Sequence, residues 1–194
     1  MFKLHWKDVK AIRSKSFKCC SCDYNVVSDK GYYAQDSTGQ VVAYIYICPH
    51  CTAPTFFNHM GTQIPGASFG KNIDAIPNDD LRKLYDEMRG CVSSNNYTAS
   101  VLCCRKMLMN IAVLEGAKEG DTYKSYVDYL ESKGFIPPNC KDLVDYIREI
   151  GNIANHEIKI MNEADAKTLV DFITMLLDFI YTYPALKNKY LKNK

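Results

Sequence analysis

The sequence lacks several features by which common classes of protein are recognised. It contains no uninterrupted apolar run near the roughly 20 residues that a membrane-spanning helix needs, because the longest apolar stretch, residues 172–183, is broken by Asp178. No apolar segment with a cleavage site opens the chain, and no glycine-rich nucleotide-binding loop is present. We therefore expect a soluble, cytoplasmic protein without a membrane partner, and we do not expect a secreted disulfide scaffold.

The chain also has only a small net charge. Lys and Arg total 24 and Asp and Glu total 22, which gives a net charge of +2. The charge is unevenly placed, because residues 1–18 carry six basic side chains and one acidic side chain, and residues 187–194 carry four lysines. Basic ends of this kind either contact phosphates or simply keep a chain soluble, and both interpretations stay open.

Cysteine, in contrast, is abundant, with nine residues in the chain. Four of them form two Cys-x-x-Cys motifs that are separated by 25 residues. Two such motifs supply the four thiolates of a closed, tetrahedral zinc site, which leaves no coordination position for the activation of water. The spacing therefore predicts a structural Zn²⁺ ion bound by Cys19, Cys22, Cys48 and Cys51.

Alternatives to this ligand set stay open. A thioredoxin-like redox site would have one Cys-x-x-Cys motif at a strand-to-helix junction. Cys20 could replace Cys19 as a ligand, although the gap from Cys19 to Cys22 suits the motif better, and His50 lies inside the second motif. A catalytic metal at these thiols is a further alternative, which would require an open coordination position.

A hairpin is predicted between the two motifs. Residues 31–35 and 41–47 are rich in aromatic and β-branched side chains, and residues 36–39 suit the turn between them. A hairpin flanked by two such motifs is a zinc ribbon, whose folding depends on its metal. Several side chains of this region could either contact nucleic acid or pack as a small core, namely His5, Trp6, Lys18, Tyr32 and Tyr33. Of the two interpretations, we favour packing.

Beyond the hairpin, the apolar pattern changes to a helical period. Glycines and prolines in residues 58–77 predict a linker, and five helices follow: one from residue 78, then 98–115, 123–133, one from about residue 139, and one capped by Asn162 and stopped by Pro184. Short connections predict an antiparallel bundle. The expected domains are an N-terminal segment and zinc ribbon at 1–57, the linker at 58–77, the bundle at 78–186 and a basic tail at 187–194.

Three polar residues recur along the fourth predicted helix. Arg148, Asn152 and His156 advance by only about 40° at each step, so their side chains line one face and could gather a phosphate. Gly151 lies in the same segment, where it costs about 1 kcal/mol of helix stability relative to alanine. Its presence predicts either the close approach of a neighbour or a local irregularity of the helix.

Short segments along the helical region carry a family resemblance. They are residues 104–108, residues 134–137, Ile147-Arg148 followed by Gly151-Asn152 and His156, and the long last helix. In this order they resemble the bacterial domain-of-unknown-function family 4145, a member of the HEPN superfamily. The resemblance covers residues 80–183, and a zinc ribbon ahead of the helices is similar to a common arrangement in that family.

The resemblance implies a mainly α fold, in which an antiparallel HEPN-like helical bundle is preceded by a small β zinc ribbon. It also implies a homodimer and an RNA-directed activity, namely a metal-independent ribonuclease of a bacterial defence or toxin-type system. In that activity His156 is the acid-base group acting on the 2′-hydroxyl, Arg148 binds the phosphate and Asn152 is a positioning amide. Seven residues separate Arg148 from His156, which is longer than the usual family spacing.

The competing interpretation is a non-catalytic, dimerising interaction module with a structural zinc ribbon that docks to a partner protein. In that case Arg148 pairs with Glu149 or Asp145, and Asn155 and His156 cap the end of the fourth helix. The two hypotheses differ in whether the protein cleaves RNA.

Overall fold

The chain divides into two compact units, Met1–Ser68 and Phe69–Lys194, in a computed structural model that describes residues 3–156 and 160–191. The division falls inside the segment that was expected to be a linker, 58–77. Each unit has a hydrophobic cluster of its own.

The first unit is an antiparallel sheet of five strands in sequential order. Its strands are β1 (Lys10–Lys18), β2 (Asn25–Gln35), β3 (Val41–Ile47), β4 (Pro54–Phe57) and β5 (Gln63–Ile64). The predicted hairpin is the pair β2–β3, but the sheet is larger than predicted. β1 was missed because it is an edge strand whose side chains are mostly polar and exposed, and β5 because it has two residues only.

Close packing of β2 against β3 depends on Gly31. This residue lies opposite Tyr46 in the register of the two strands. A Cβ atom at Gly31 would stand 1.8 Å from the backbone oxygen of Ile45, a distance that no real contact allows. Only glycine therefore fits this position without moving one strand away from the other.

The aromatic core of the sheet differs from the one we favoured. The rings of Phe17, Tyr46 and Phe57 contact one another with centroids 5.4 to 5.9 Å apart. Trp6 and Tyr33 are 37% and 41% exposed, and Trp6 packs outside this core, against the ring of Tyr32 at a centroid distance of 6.2 Å. The pairing of β1 with β2 ends at Gly31, so the residues of β2 that follow it extend beyond the cover of β1.

The second unit is helical, and α2 lies at its centre. Its helices are α1 (Asp79–Ser93), α2 (Tyr97–Leu114), α3 (Tyr123–Ser132), α4 (Lys141–His156), α5 (Glu163–Leu177) and α6 (Tyr183–Leu191), with a short 3₁₀ turn at Pro138–Cys140. α2 packs against α1, α3, α4 and α5. The predicted start signals are confirmed, because the side chains of Asn78 and Asn162 accept hydrogen bonds from the first turns of α1 and α5.

The last helix does not stop at Pro184, so that prediction was wrong. It continues from Glu163 to Leu191 through a π-helical segment, Asp178–Thr182, in which the Tyr183 N–H donates to the carbonyl oxygen of Asp178. Proline lacks an N–H group, and its ring collides with the preceding turn of an α-helix. The wider π turn directly before Pro184 relieves this conflict, and the helix takes in Lys187 and Lys189 of the expected tail.

Two helices are long and apolar enough, by length and composition alone, to cross a membrane. They are Tyr97–Leu114 and Glu163–Leu191, and 39% and 44% of their apolar windows are buried inside the protein. This is weak evidence for a membrane span, because the core helix of a soluble protein meets the same criterion.

Candidate functional site

The two Cys-x-x-Cys motifs fold into matching turns. In the first, the Cys19 N–H donates to the Tyr24 carbonyl and the Asp23 N–H donates to the Cys19 carbonyl, both at 2.9 Å. In the second, Cys48 makes the equivalent bonds with Ala53 and Thr52 at the same distance. The residue after each motif has a positive φ, 65° at Asp23 and 63° at Thr52. The repeated geometry turns both pairs of thiols toward one point.

The four thiols form a cluster that is able to hold a metal ion. The sulfur atoms of Cys19, Cys22, Cys48 and Cys51 all lie within 4.8 Å of one another. Two of the separations, Cys19 to Cys51 and Cys22 to Cys48, are 3.7 and 3.8 Å. A tetrahedral ion with metal–sulfur bonds of about 2.3 Å requires sulfur atoms about 3.8 Å apart. The arrangement is therefore compatible with zinc, and the distances are far too long for disulfide bonds.

Burial of the cluster acts on the protonation of its thiols. It raises the pKa of Cys19 far above the ordinary thiol value and that of Cys22 to about 11. Burial also raises the pKa of Cys51, but hydrogen bonds from the backbone of Ala53 and from neighbouring thiols bring it below its ordinary value. A metal cation among these sulfurs would stabilise the thiolate form of each ligand.

The alternative ligands lie outside the cluster. The sulfur of Cys20 faces the hydroxyl of Thr55 at 4.0 Å, so Cys19 and not Cys20 joins the other three cysteines. His50 is exposed, and its ring stacks on Tyr24 with centroids 4.0 Å apart. Among the described residues, four cysteines thus provide a complete set of ligands without a histidine.

The second group of interest lies on α4. Arg148 donates to the carboxylate of Asp145 at 2.7 Å, and the two side chains are 39% and 48% exposed. This is one of the pairings expected if Arg148 has only a structural role. Asn152 follows one turn later and is exposed. His156 ends the helix, but its side chain lies outside the described residues, as does that of Asn155.

Arg105 of α2 approaches this face of α4. Its Nη1 atom donates to the Oδ1 atom of Asn152 at 3.1 Å, and its guanidinium carbon lies 4.0 Å from the ring centroid of Tyr123 on α3. A Cβ atom at Gly151 would stand 3.2 Å from that same Nη1 atom. The sequence predicted either a close neighbour or a local irregularity at Gly151, and the close neighbour is the side chain of Arg105.

Tyr123 forms the floor beneath this arginine. Its side chain is buried, and its hydroxyl has no hydrogen-bond partner among the described residues. Burial raises the pKa of the phenol to about 12, although the positive charges of Arg105 and Arg148 act in the opposite direction. Both arginines therefore lie close enough to Tyr123 to affect it electrostatically.

An open depression of about 630 Å³ lies along α4. Its lining is mixed in charge. The carboxylates of Asp142, Asp145 and Glu149 accompany Arg148, and Tyr146 and Asn152 complete the lining. An anion that enters this depression must compete with Asp145 for Arg148.

Sequence reasoning missed the part played by Arg105. In the sequence, Arg105 belongs to a short segment of family resemblance that by itself indicates no role for this side chain. A usable signal was present, because Arg105 lies four residues after Val101 and three before Leu108, which are both buried. A basic residue at this helical spacing points toward the core side of α2 and needs a partner there.

Comparison with known protein families identifies a family model that matches this chain. The family model described as Domain of unknown function (DUF4145) matches residues 86–194, which is more than half of the chain and includes α2, α3 and α4. Neither the curated proteins nor the solved structures contain a significant match to this chain.

Proposed function

Because the chain belongs to the family described as Domain of unknown function (DUF4145), we propose that it is an RNA-directed protein of the HEPN superfamily. Its activity is the metal-independent cleavage of RNA in a bacterial defence or toxin-type system, and its working form is a homodimer. The sheet unit is a zinc ribbon, in which Zn²⁺ is held by the four clustered cysteines and has a structural role only.

The observation that carries this proposal is the hydrogen bond from Arg105 of α2 to Asn152, an amide that shares a face of α4 with Arg148. Arg148 lies one helical turn before Asn152. Guanidinium groups bind phosphates through paired N–H donors, and an amide adds both a donor and an acceptor. The helical period of α4 carries this face on to position 156.

The ion pair between Arg148 and Asp145 is compatible with phosphate binding. Both side chains are substantially exposed, and exposed ion pairs of this kind contribute only about 0.2 to 1 kcal/mol. A phosphate can replace the carboxylate at small cost, since it offers Arg148 an equivalent pair of acceptor oxygens.

The proposed reaction uses the RNA as its own nucleophile. His156 accepts the proton of a 2′-hydroxyl, the 2′-oxygen forms a bond to the adjacent phosphorus, and the bond from phosphorus to the 5′-oxygen breaks. The products are a 2′,3′-cyclic phosphate and a free 5′-hydroxyl, whose proton comes from the surrounding acid groups or water. Histidine suits the first step because its ordinary pKa is close to neutrality.

The test is incubation of the zinc-loaded protein with labelled RNA in buffer without added Mg²⁺, beside His156→Ala. His59→Ala is a matched control, because His59 is exposed and lies in the sheet unit. Cleavage by the parent and by His59→Ala, lost in His156→Ala, supports the ribonuclease. Intact RNA in all three samples, at equal zinc content and helicity, would exclude the catalytic proposal.

A second candidate function is a non-catalytic interaction module, and one observation favours it. Tyr32, Ile45, Phe56 and Ile64 lie opposite one another on successive strands, so they form one apolar row across a face of the sheet. Three of these side chains are exposed, namely Ile45, Phe56 and Ile64, and exposed apolar rows often mark protein-binding surfaces. Absence of RNA cleavage, together with a stable dimer by light scattering, would support this candidate.

A further inference from the structure

Arg105 differs from Arg148 in having no carboxylate partner among the residues that the structure describes. Arg148 has the carboxylate of Asp145 at 2.7 Å, whereas no carboxylate within the described ranges 3–156 and 160–191 lies at salt-bridge distance from Arg105. Arg105 is nevertheless half-buried. Its partners among the described residues, the ring of Tyr123 and the amide of Asn152, are both neutral, so the charge of the guanidinium remains available to an anion.

Arg105 is also held in one orientation. Its guanidinium stacks on Tyr123 at 4.0 Å, one of its N–H groups donates to Asn152, and Gly151 provides the space beside Nη1. Contacts from two helices, α3 and α4, therefore fix the position of a cation carried by α2. A guanidinium has five N–H donors, so the hydrogen bond to Asn152 leaves donors for a ligand. A side chain that is already ordered loses less entropy when it binds.

The carboxylates near the site strengthen the distinction between the two arginines. Asp142, Asp145 and Glu149 line the depression along α4 together with Arg148, so an arriving phosphate meets negative charge there. Arg105 comes from α2 and is not among the residues that line this depression. It can therefore bind an anion without displacing any carboxylate of the described residues.

We propose that Arg105 is the principal phosphodiester-binding residue of the RNA site, with Tyr123 and Gly151 as the residues that position it. Arg148 then serves as a second, exchangeable contact. The inference deepens the proposed function and rests on it, because RNA is the ligand. It assigns the first phosphate contact to α2, whereas the sequence pattern placed the whole site on α4.

The test measures binding of a short, fluorescently labelled single-stranded RNA by anisotropy at several salt concentrations. All proteins carry His156→Ala, so that cleavage does not interfere. Arg105→Gln is compared with Arg82→Gln, an exposed arginine of α1 whose partner is Asp79. We expect Arg105→Gln to weaken binding about tenfold and to reduce the slope of log affinity against log salt by about 0.7. Arg82→Gln is expected to change neither.

Arg105→Lys separates the proposed role from a merely structural one. It keeps the cation and loses the planar group over Tyr123, so the proposal predicts an unchanged salt slope and a partial loss of affinity. Equal loss of affinity in Arg105→Lys and Arg105→Gln, with unchanged salt slopes and lowered melting temperatures, would overturn the inference.

The failure of the inference can be told apart from the failure of the proposed function. If the His156→Ala parent binds RNA and Arg105→Gln binds it equally well with the same salt slope, the inference is wrong and RNA binding stands. If the parent binds no RNA, the proposed function is wrong and the inference falls with it. Tyr123→Phe keeps the ring beneath Arg105, so retained affinity in that variant is expected, and a tenfold loss would contradict the positioning role of the ring.

Discussion

The sheet unit and the helical unit differ in what holds them together. The cluster of the sheet unit consists of Phe17, Val26, Tyr46, Phe57 and three of the four clustered cysteines. The core of the helical unit draws buried side chains from every helix from α1 to α5. The sheet unit has the smaller hydrophobic cluster, so we expect a metal ion at its four clustered cysteines to supply much of its stability, whereas the helical unit depends on hydrophobic burial.

This difference predicts that metal loss unfolds one unit only. We expect Cys48→Ser to abolish metal binding and unfold the sheet, because structural zinc supplies on the order of 10 kcal/mol to such sites. The helical unit should keep its structure. Metal analysis and the dispersion of amide NMR signals measure both effects.

Cys20→Ser is the control for this substitution, since Cys20 is the neighbouring cysteine that lies outside the cluster. It should keep one metal ion per chain and a folded sheet. A folded sheet in Cys48→Ser without metal would contradict the comparison between the two units.

The converse substitution lies in the core of α2. Leu108 is fully buried, so we expect Leu108→Ala to lower the free energy of unfolding of the helical unit by about 2 to 5 kcal/mol. Metal content should not change. Urea unfolding followed by far-ultraviolet circular dichroism measures the effect.

Leu102→Ala is the matched control in the same helix, because that side chain is 37% exposed. It should cost less than about 1 kcal/mol. Equal costs at both positions would show that the core of α2 is wrongly assigned.

A third substitution acts on the sheet without touching its cysteines. Gly31→Ala places a methyl group against the backbone oxygen of Ile45, and relieving the contact should cost about 1 to 3 kcal/mol or more. We expect weaker metal retention against a chelator and an unchanged helical unit. Chelator titration followed by metal release measures this, and unchanged release kinetics would show that β2 and β3 are not packed this closely.

The smallest effect is expected at Gly151. Alanine gains up to about 1 kcal/mol of helix propensity, while the new methyl group need only displace the guanidinium end of Arg105 by a few tenths of an ångström. We therefore expect Gly151→Ala to leave the free energy of unfolding within about 1 kcal/mol of the parent and to weaken RNA binding severalfold. Chemical unfolding and anisotropy measure the two quantities.

Gly90→Ala is the control for Gly151→Ala, because Gly90 lies within α1 and a Cβ atom there would meet nothing within 4 Å. It should stabilise the helical unit without a change in RNA affinity. A similar loss of affinity in both variants would mean that the space beside Gly151 has no specific role.

Much of the fold was predictable because local patterns determine it. The helical period located α1 to α5, the asparagine caps marked two helix starts, and the spacing of cysteines identified the residues that cluster. The prediction failed where local rules met tertiary constraints. Pro184 usually ends a helix, but here the π-helical segment before it allows the helix to continue to Leu191.

The candidate site on α4 was only half predictable. Arg148 and Asn152 share a face because of helical geometry alone, and Gly151 pointed to a close neighbour. The identity of that neighbour, Arg105, could not be read from the pattern, because 47 residues separate it from Asn152. Likewise, the choice of Asp145 over Glu149 as the partner of Arg148 depends on side-chain conformations.

The amino-acid sequence by itself determined the positions of α1 to α5 and the set of clustered cysteines. These features depend on spacing and periodicity within short segments, which act through local backbone geometry. Only the tertiary structure decided which aromatic residues form the core of the sheet, which strands cover them and which arginine reaches Asn152. Those outcomes depend on packing between segments that are distant in the chain, where shape and burial select the contacts.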